Sequence, residues 1–235
     1  MPETTFLPKA ILWDIEGIFV DTETLHFEAW QWLMEHEQVS PLDVQEYRPC
    51  IGRGSSENIQ TIAEIRNIRG DLDNLRWLRR QKFEELRHCG IPVISENVRL
   101  LRDFVSTFPL VRHIAVSSAT RSDIEENLKI AGINQFFELT VSYQDKQGMR
   151  RKPAPDMYRY ALERARLDPR DCLAFEDTHS GVIAASNARI IVIALPTHLT
   201  EGQDFSVANF VVPAGGEKSA SGILHALRKH AYEEK

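Results

Sequence analysis

The stretch KAILWDIEGIFVDT, from Lys9 to Thr22, decides the reading of the fold. Its first half is a short apolar run, the pattern of a strand buried on both faces. Asp14, Ile15, Glu16 and Gly17 follow directly. In an open α/β sheet, ligands bind beyond the carboxyl ends of the strands, so these carboxylates stand where chemistry is done. Working outward, HIAVS (from His113), FFELTVS (from Phe136), DCLAF (from Asp171) and RIIVIAL (from Arg189) repeat the apolar pattern. Between them lie segments of helical length and period: Asp123–Ala131, with Ser122 as its expected N-cap, Pro155–Ala165 and Ser180–Asn187. Strands alternating with helices predict right-handed βαβ crossovers and an α/β fold, a doubly wound, mostly parallel sheet of the Rossmann-like kind. ANFVV reads as a last edge strand and Gly222–Tyr232 as a closing helix.

One interval breaks the alternation. From Thr22 to Gly90 the apolar residues recur at helical spacing: Leu25, Trp30, Leu33 and Met34 in one helix, Leu75, Leu78, Phe83 and Leu86 in another. The expected organisation is a core domain of residues 1–21 and 91–235 interrupted by an all-α domain of residues 22–90. The basic residues Arg79, Arg80, Lys82 and Arg87 are interleaved with Glu84 and Glu85, and Arg80 to Glu84 has the spacing of a helical ion pair, so this is a solvated face.

Bulk properties narrow the function. The chain has 235 residues, 43% hydrophobic and 26% charged, enough for a sizeable core. A net charge of -6 repels nucleic acid and anionic lipid, so neither is an expected partner and a phosphate substrate needs a local positive patch. No apolar run is long enough to span a bilayer, and MPETTFLPKA lacks the features of a signal peptide. Cys50, Cys89 and Cys172 are widely spaced without a CxxC pair, which fits a reducing cytoplasm and neither a disulfide framework nor a zinc site. We expect a monomer acting on a small phosphorylated metabolite.

The residues that bear chemistry fall just after the apolar runs. Asp14 and Glu16 follow the first; Ser118, Ala119 and Thr120 follow HIAVS. Lys152 stands in RRKPAP, and Glu176 and Asp177 follow DCLAF. Singly, each reads as a cap, a turn residue or an exposed lysine. Together they supply a nucleophile, a hydroxyl donor, a cation and a set of carboxylates at neighbouring strand ends.

The stretches WDIEGIFVDTETLHFEAW, KPAPDMY and FEDTHSGVIAA resemble the haloacid dehalogenase superfamily, and within it the branch of β-phosphoglucomutase and sugar-phosphate phosphatases. The likeness covers nearly the whole chain and implies that residues 22–90 form a helical cap over an active site. It implies a phosphatase in which Asp14 attacks phosphorus and is transiently phosphorylated, with Glu16 at the general acid/base position. Ser118 binds a phosphoryl oxygen, Ser117 being the competing candidate, and Lys152 neutralises developing charge. Mg2+ is the implied cofactor, held by Asp14, Glu176 and Asp177 with the main-chain carbonyl of Glu16; crowded carboxylates call for a cation in any case. His26 in HFEAW, Arg53 in the Gly52-Arg53-Gly54 loop, Ala119, Thr120 and Arg121 are the implied substrate contacts. Arg121 reads equally as a surface residue in a helix's first turn.

One departure matters. The superfamily's acid/base is normally a second aspartate. Glutamate is longer by a methylene, and a misplacement of about 1 Å can cost on the order of 10²-fold in rate. The alternatives to an active phosphatase are therefore an attenuated or inactive homologue that binds phosphometabolites, and a phosphosugar mutase using the same Asp14.

Overall fold

A computed structural model describes residues 6–53, 55–213, 215–216 and 218–233. In chain order, β1 (Ala10–Trp13) leads to α1 (Thr22–His36), α2 (Val44–Tyr47), α3 (Ser55–Arg66) and α4 (Leu72–Cys89). Next come α5 (Ser95–Thr107), β2 (Arg112–Ser117), α6 (Arg121–Ile130), β3 (Leu139–Ser142) and α7 (Asp156–Ala165). The chain closes with β4 (Cys172–Glu176), α8 (His179–Asn187), β5 (Ile191–Ala194), β6 (Phe210–Val211) and α9 (Ala220–Glu233). It divides into two compact units, Met1–Val20 with Val93–Lys235, and Asp21–Pro92.

In the first unit the described strands form one parallel sheet in the order β3-β2-β1-β4-β5-β6. This is the doubly wound α/β arrangement. β1 lies between β2 and β4, with Trp13 opposite Ala115 on one side and Phe175 on the other. All four β1 side chains are buried, which is why the run is uninterruptedly apolar. The side chains alternate between two packed faces. Leu12, Val116 and Ala174 join Tyr158 and Met157 of α7 and Val182 and Ala185 of α8. On the other face Trp13 stacks on Phe175 with ring centroids 4.2 Å apart, and Phe104 of α5 meets both rings edge-on.

Two of the boundaries that differ from the expectation have a local reason. α6 is capped by Thr120, whose side chain accepts from the Asp123 amide; Ser122 lies inside the first turn. The run from Phe136 enters its strand only at Leu139, because residues Asn134–Phe136 form a 3₁₀ turn.

The second unit is helical. Asp21 caps α1, its carboxylate accepting from the Thr24 amide at 3.0 Å and the Thr24 hydroxyl at 2.6 Å. Leu25, Ala29, Trp30, Leu33 and Met34 bury one stripe of that helix. Arg80 and Glu84 of α4 stand 3.7 Å apart on its exposed side, whereas Arg79, expected on the same solvated face, is buried. Among the described residues no helix is long and apolar enough to cross a membrane.

Candidate active site

The carboxyl ends of β1, β2 and β4 bring Asp14, Ser117, Ser118, Glu176 and Asp177 to one edge of the sheet, and the loop before α7 adds Lys152. The Lys152 ammonium donates to Asp14 Oδ1 at 2.7 Å and to the Val116 carbonyl at 3.1 Å, and it pairs with Glu176 Oε1 at 2.7 Å. The Tyr158 hydroxyl also donates to Glu176 Oε1. Burial works against the ammonium, but Asp14 and Glu176 outweigh it and hold its pKa above the ordinary lysine range. Burial raises Glu176 to about 7 against the pull of Lys152.

Asp14, Glu176 and Asp177 form a buried group whose oxygens lie within 4.8 Å of one another. Two glycines permit that packing. A Cβ on Gly17, whose φ is +82°, would sit 1.8 Å from Asp177 Oδ2, and a Cβ on Gly181 would sit 1.9 Å from Glu176 Oε2. Glu176 Oε2 is buried with no hydrogen-bond partner among the described residues. Clustered hard oxygen donors, one of them unspent, fit a magnesium ion. Ser118 Oγ is likewise buried without a partner among the described residues, an idle hydroxyl beside the cluster's strand ends.

Glu16 takes a different direction. Its carboxylate accepts from the Ser117 hydroxyl and from Asn127 Nδ2, the latter at 2.7 Å. Burial and then the charge of Asp14 raise its pKa, and the Ser117 and Asn127 hydrogen bonds oppose the rise.

The remaining residues singled out from the sequence have other partners. The Ala119 amide donates to Ser117 Oγ at 2.9 Å. Thr120 caps α6. Arg121 donates to Asp145 Oδ2 at 2.6 Å and to the Thr140 carbonyl at 2.8 Å. His26 and Arg53 belong to the second unit. The His26 ring stacks on Phe83 with centroids 3.9 Å apart, and its Nδ1 lies 3.1 Å from Arg79 Nη1. Burial, reinforced by Arg79, drops His26 to about 3, so the ring is neutral. Arg53 is exposed, and Gly54 lies outside the described residues. Tyr158 and Asn127 went unnoticed in the sequence, where each is one polar residue in a helical stretch.

The family model for haloacid dehalogenase-like hydrolases matches residues 11–195. The chain belongs to that family. Relatives of this haloacid dehalogenase-like hydrolase include the phosphorylated carbohydrates phosphatase of Thermotoga maritima, 30% identical over 225 residues, which span 94% of this chain and 99% of that one. The fructose-1-phosphate phosphatase YqaB of Escherichia coli is 29% identical over 188 residues, 76% of this chain and 91% of that one. Among solved structures, CbbY from Rhodobacter sphaeroides in complex with phosphate gives a TM-score of 0.69 at 22% identity, covering 92% of this chain and 99% of that one. At that identity the likeness is one of fold.

Proposed function

We propose that this haloacid dehalogenase-like phosphatase is a magnesium-dependent enzyme that hydrolyses a small phosphorylated metabolite, of the sugar phosphate or bisphosphate class, by way of an aspartyl-phosphate on Asp14. The observation that carries the reading is the shared position of Asp14, Lys152, Glu176 and Asp177, with Lys152 bonded to Asp14 Oδ1 at 2.7 Å. Lys152 fixes one Asp14 oxygen and leaves the other to attack phosphorus as the bond to the leaving oxygen breaks. Phosphoryl transfer asks little covalent work of a protein, so positioning and charge neutralisation supply most of the rate. Ser118 Oγ donates to a phosphoryl oxygen, and Lys152 offsets the charge that develops there. Glu16 gives a proton to the leaving oxygen and then takes one from the water that releases phosphate. Asp14, Glu176 and Asp177, with the Glu16 carbonyl, would hold the magnesium ion. When bound, it neutralises negative charge on the phosphoryl group. The names of the Thermotoga maritima and Escherichia coli relatives support the sugar phosphate class.

The attenuated reading has one observation in its favour: Glu16 is hydrogen-bonded to Ser117 and Asn127 and is not among the clustered carboxylates. The decisive measurement is phosphate release from fructose 1-phosphate, glucose 1-phosphate and a ketose bisphosphate, with and without magnesium. Magnesium-dependent release, together with a beryllium fluoride adduct on Asp14, is the expected result. An adduct on another residue, or ligand binding with no product, overturns it.

A further inference from the structure

The sheet's alternation turns the Glu16 side chain aside from the clustered carboxylates, although the charge of Asp14 still reaches it. Ser117 shares its face of β2 with His113 and Ala115, while Val116 points to the other face and packs in the cluster of Tyr158, the residue that bonds Glu176. The Glu16 carboxylate is held on the Ser117 face. Both of its oxygens are used, one by the Ser117 hydroxyl and one by the Asn127 amide.

Asn127 is the telling residue. It is 2% exposed on the packing side of α6, beside Ile124 and Leu128, where an apolar residue would fill the same space. Burying an amide is unfavourable unless its hydrogen bonds are made, and Asn127 Oδ1 has no partner among the described residues. Among the described residues, its Nδ2 bond to Glu16 is the side-chain contact that accounts for a buried amide here. Ser117 is fully buried, and its oxygen both donates to Glu16 and accepts from the Ala119 amide.

We propose that Ser117 and Asn127 are positioning residues that dock the Glu16 carboxylate away from the phosphoryl site, so that release from the dock limits proton delivery to the leaving group. This rests on the phosphatase reading above. In the step concerned, an Asp14 oxygen forms a bond to phosphorus and the bond from phosphorus to the sugar oxygen breaks. The electron pair goes to that oxygen, which takes its proton from the Glu16 carboxyl. While Ser117 and Asn127 hold its two oxygens, the Glu16 carboxyl is turned toward α6 and is not presented to the leaving oxygen. The longer side chain of glutamate makes a second resting place within reach, and the dock is that place.

The test compares leaving groups. Single-turnover phosphorylation is followed with magnesium present, using the sugar phosphate hydrolysed fastest in the panel and, separately, p-nitrophenyl phosphate, whose phenolate leaves without a proton. Asn127→Leu is expected to accelerate the sugar phosphate by about threefold to tenfold, since an equilibrium moves by as much as the lost contact was worth. The p-nitrophenyl phosphate burst stays unchanged. A merely structural role moves both substrates together, and that outcome overturns the dock. So does a slower sugar phosphate reaction, which would make the docked position the productive one. Where Asn127→Leu loses its cooperative melting transition, Asn127→Ala carries the same expectation and the same refutations. Wild type and variant both silent toward both substrates would sink the phosphatase reading and the dock with it; a wild-type burst with no leaving-group split sinks the dock alone.

Discussion

Each of the two units buries a cluster of charged groups, and the two clusters close differently. In the helical unit, the Arg79 guanidinium lies 5.2 Å from the Trp30 ring centre and 5.9 Å from that of Phe83, with neutral His26 at its Nη1. The nearby Glu23 carboxyl accepts from the Tyr47 hydroxyl. Among the described residues, Arg79, Arg80 and Arg87 there are answered by Asp21, Glu23 and Glu84, and aromatic rings cover the rest. At the carboxyl ends of β1 and β4, Asp14 and Glu176 share the Lys152 ammonium, and Asp177 is grouped with both carboxylates. A cluster balanced in charge is accounted for by packing alone. Carboxylates crowded at a strand end are what mark a candidate active site off from a structural ion cluster.

The sharpest way to break this contrast is at Asp14. Asp14→Asn keeps the shape and removes the attacking carboxylate, so turnover should fall by on the order of 10⁴-fold or more, as when other enzymes lose a nucleophile. Phosphate release at a rate within tenfold of wild type would move the chemistry elsewhere. The next effect is on stability. Lys152→Met leaves Glu176, fully buried, without its ammonium, and removing one partner of a buried pair costs about 3–5 kcal/mol. Arg79→Met should cost less, because Glu23 is only partly buried and keeps its Tyr47 hydrogen bond, whereas Glu176 is 0% exposed. Urea denaturation of both variants compares the two clusters directly. Equal losses would erase the distinction.

The contrast also explains what could be read from sequence. Asp14, Glu176, Asp177 and Lys152 were legible because each follows a recognisable apolar run or stands in a proline-rich loop, and because strand ends share one edge of the sheet. Asn127 and Tyr158 were not. A buried asparagine on α6 and a buried tyrosine on α7 have the same sequence signature as exposed ones, and only tertiary packing turns them toward Glu16 and Glu176. Arg121 shows the converse. Its place after Thr120 invites a phosphate role, yet its carboxylate partner, Asp145, lies 24 positions away in a loop with no periodic signal. The cap of α6 turned on hydroxyls two residues apart, Thr120 and Ser122, a choice that local pattern leaves open.

A further predicted effect separates the units by the sign of their response to pH. The Trp13 indole N–H of β1 donates to His113 Nδ1 of β2 at 3.1 Å, which requires a lone pair there and so a neutral ring. Burial pushes His113 from 6.5 down to about 4. The unfolded chain therefore takes up its histidine proton before the folded one does. The stability His113 contributes is complete above pH 6.5 and is lost as pH falls toward 4, roughly 3 kcal/mol in all. His113→Gln keeps an acceptor for Trp13 but cannot titrate, so the stability difference between wild type and variant should shrink over that window. Glu23 in the helical unit runs the other way. Burial raises it from 4.5 to about 7, so its contribution is complete below pH 4.5 and is lost as pH rises through 7. The difference between wild type and Glu23→Gln should therefore shrink on going from acid to neutral. Opposite slopes in the two pairs, measured by chemical denaturation between pH 4 and 7.5, are the expected result; slopes of one sign would mean that burial does not govern both groups.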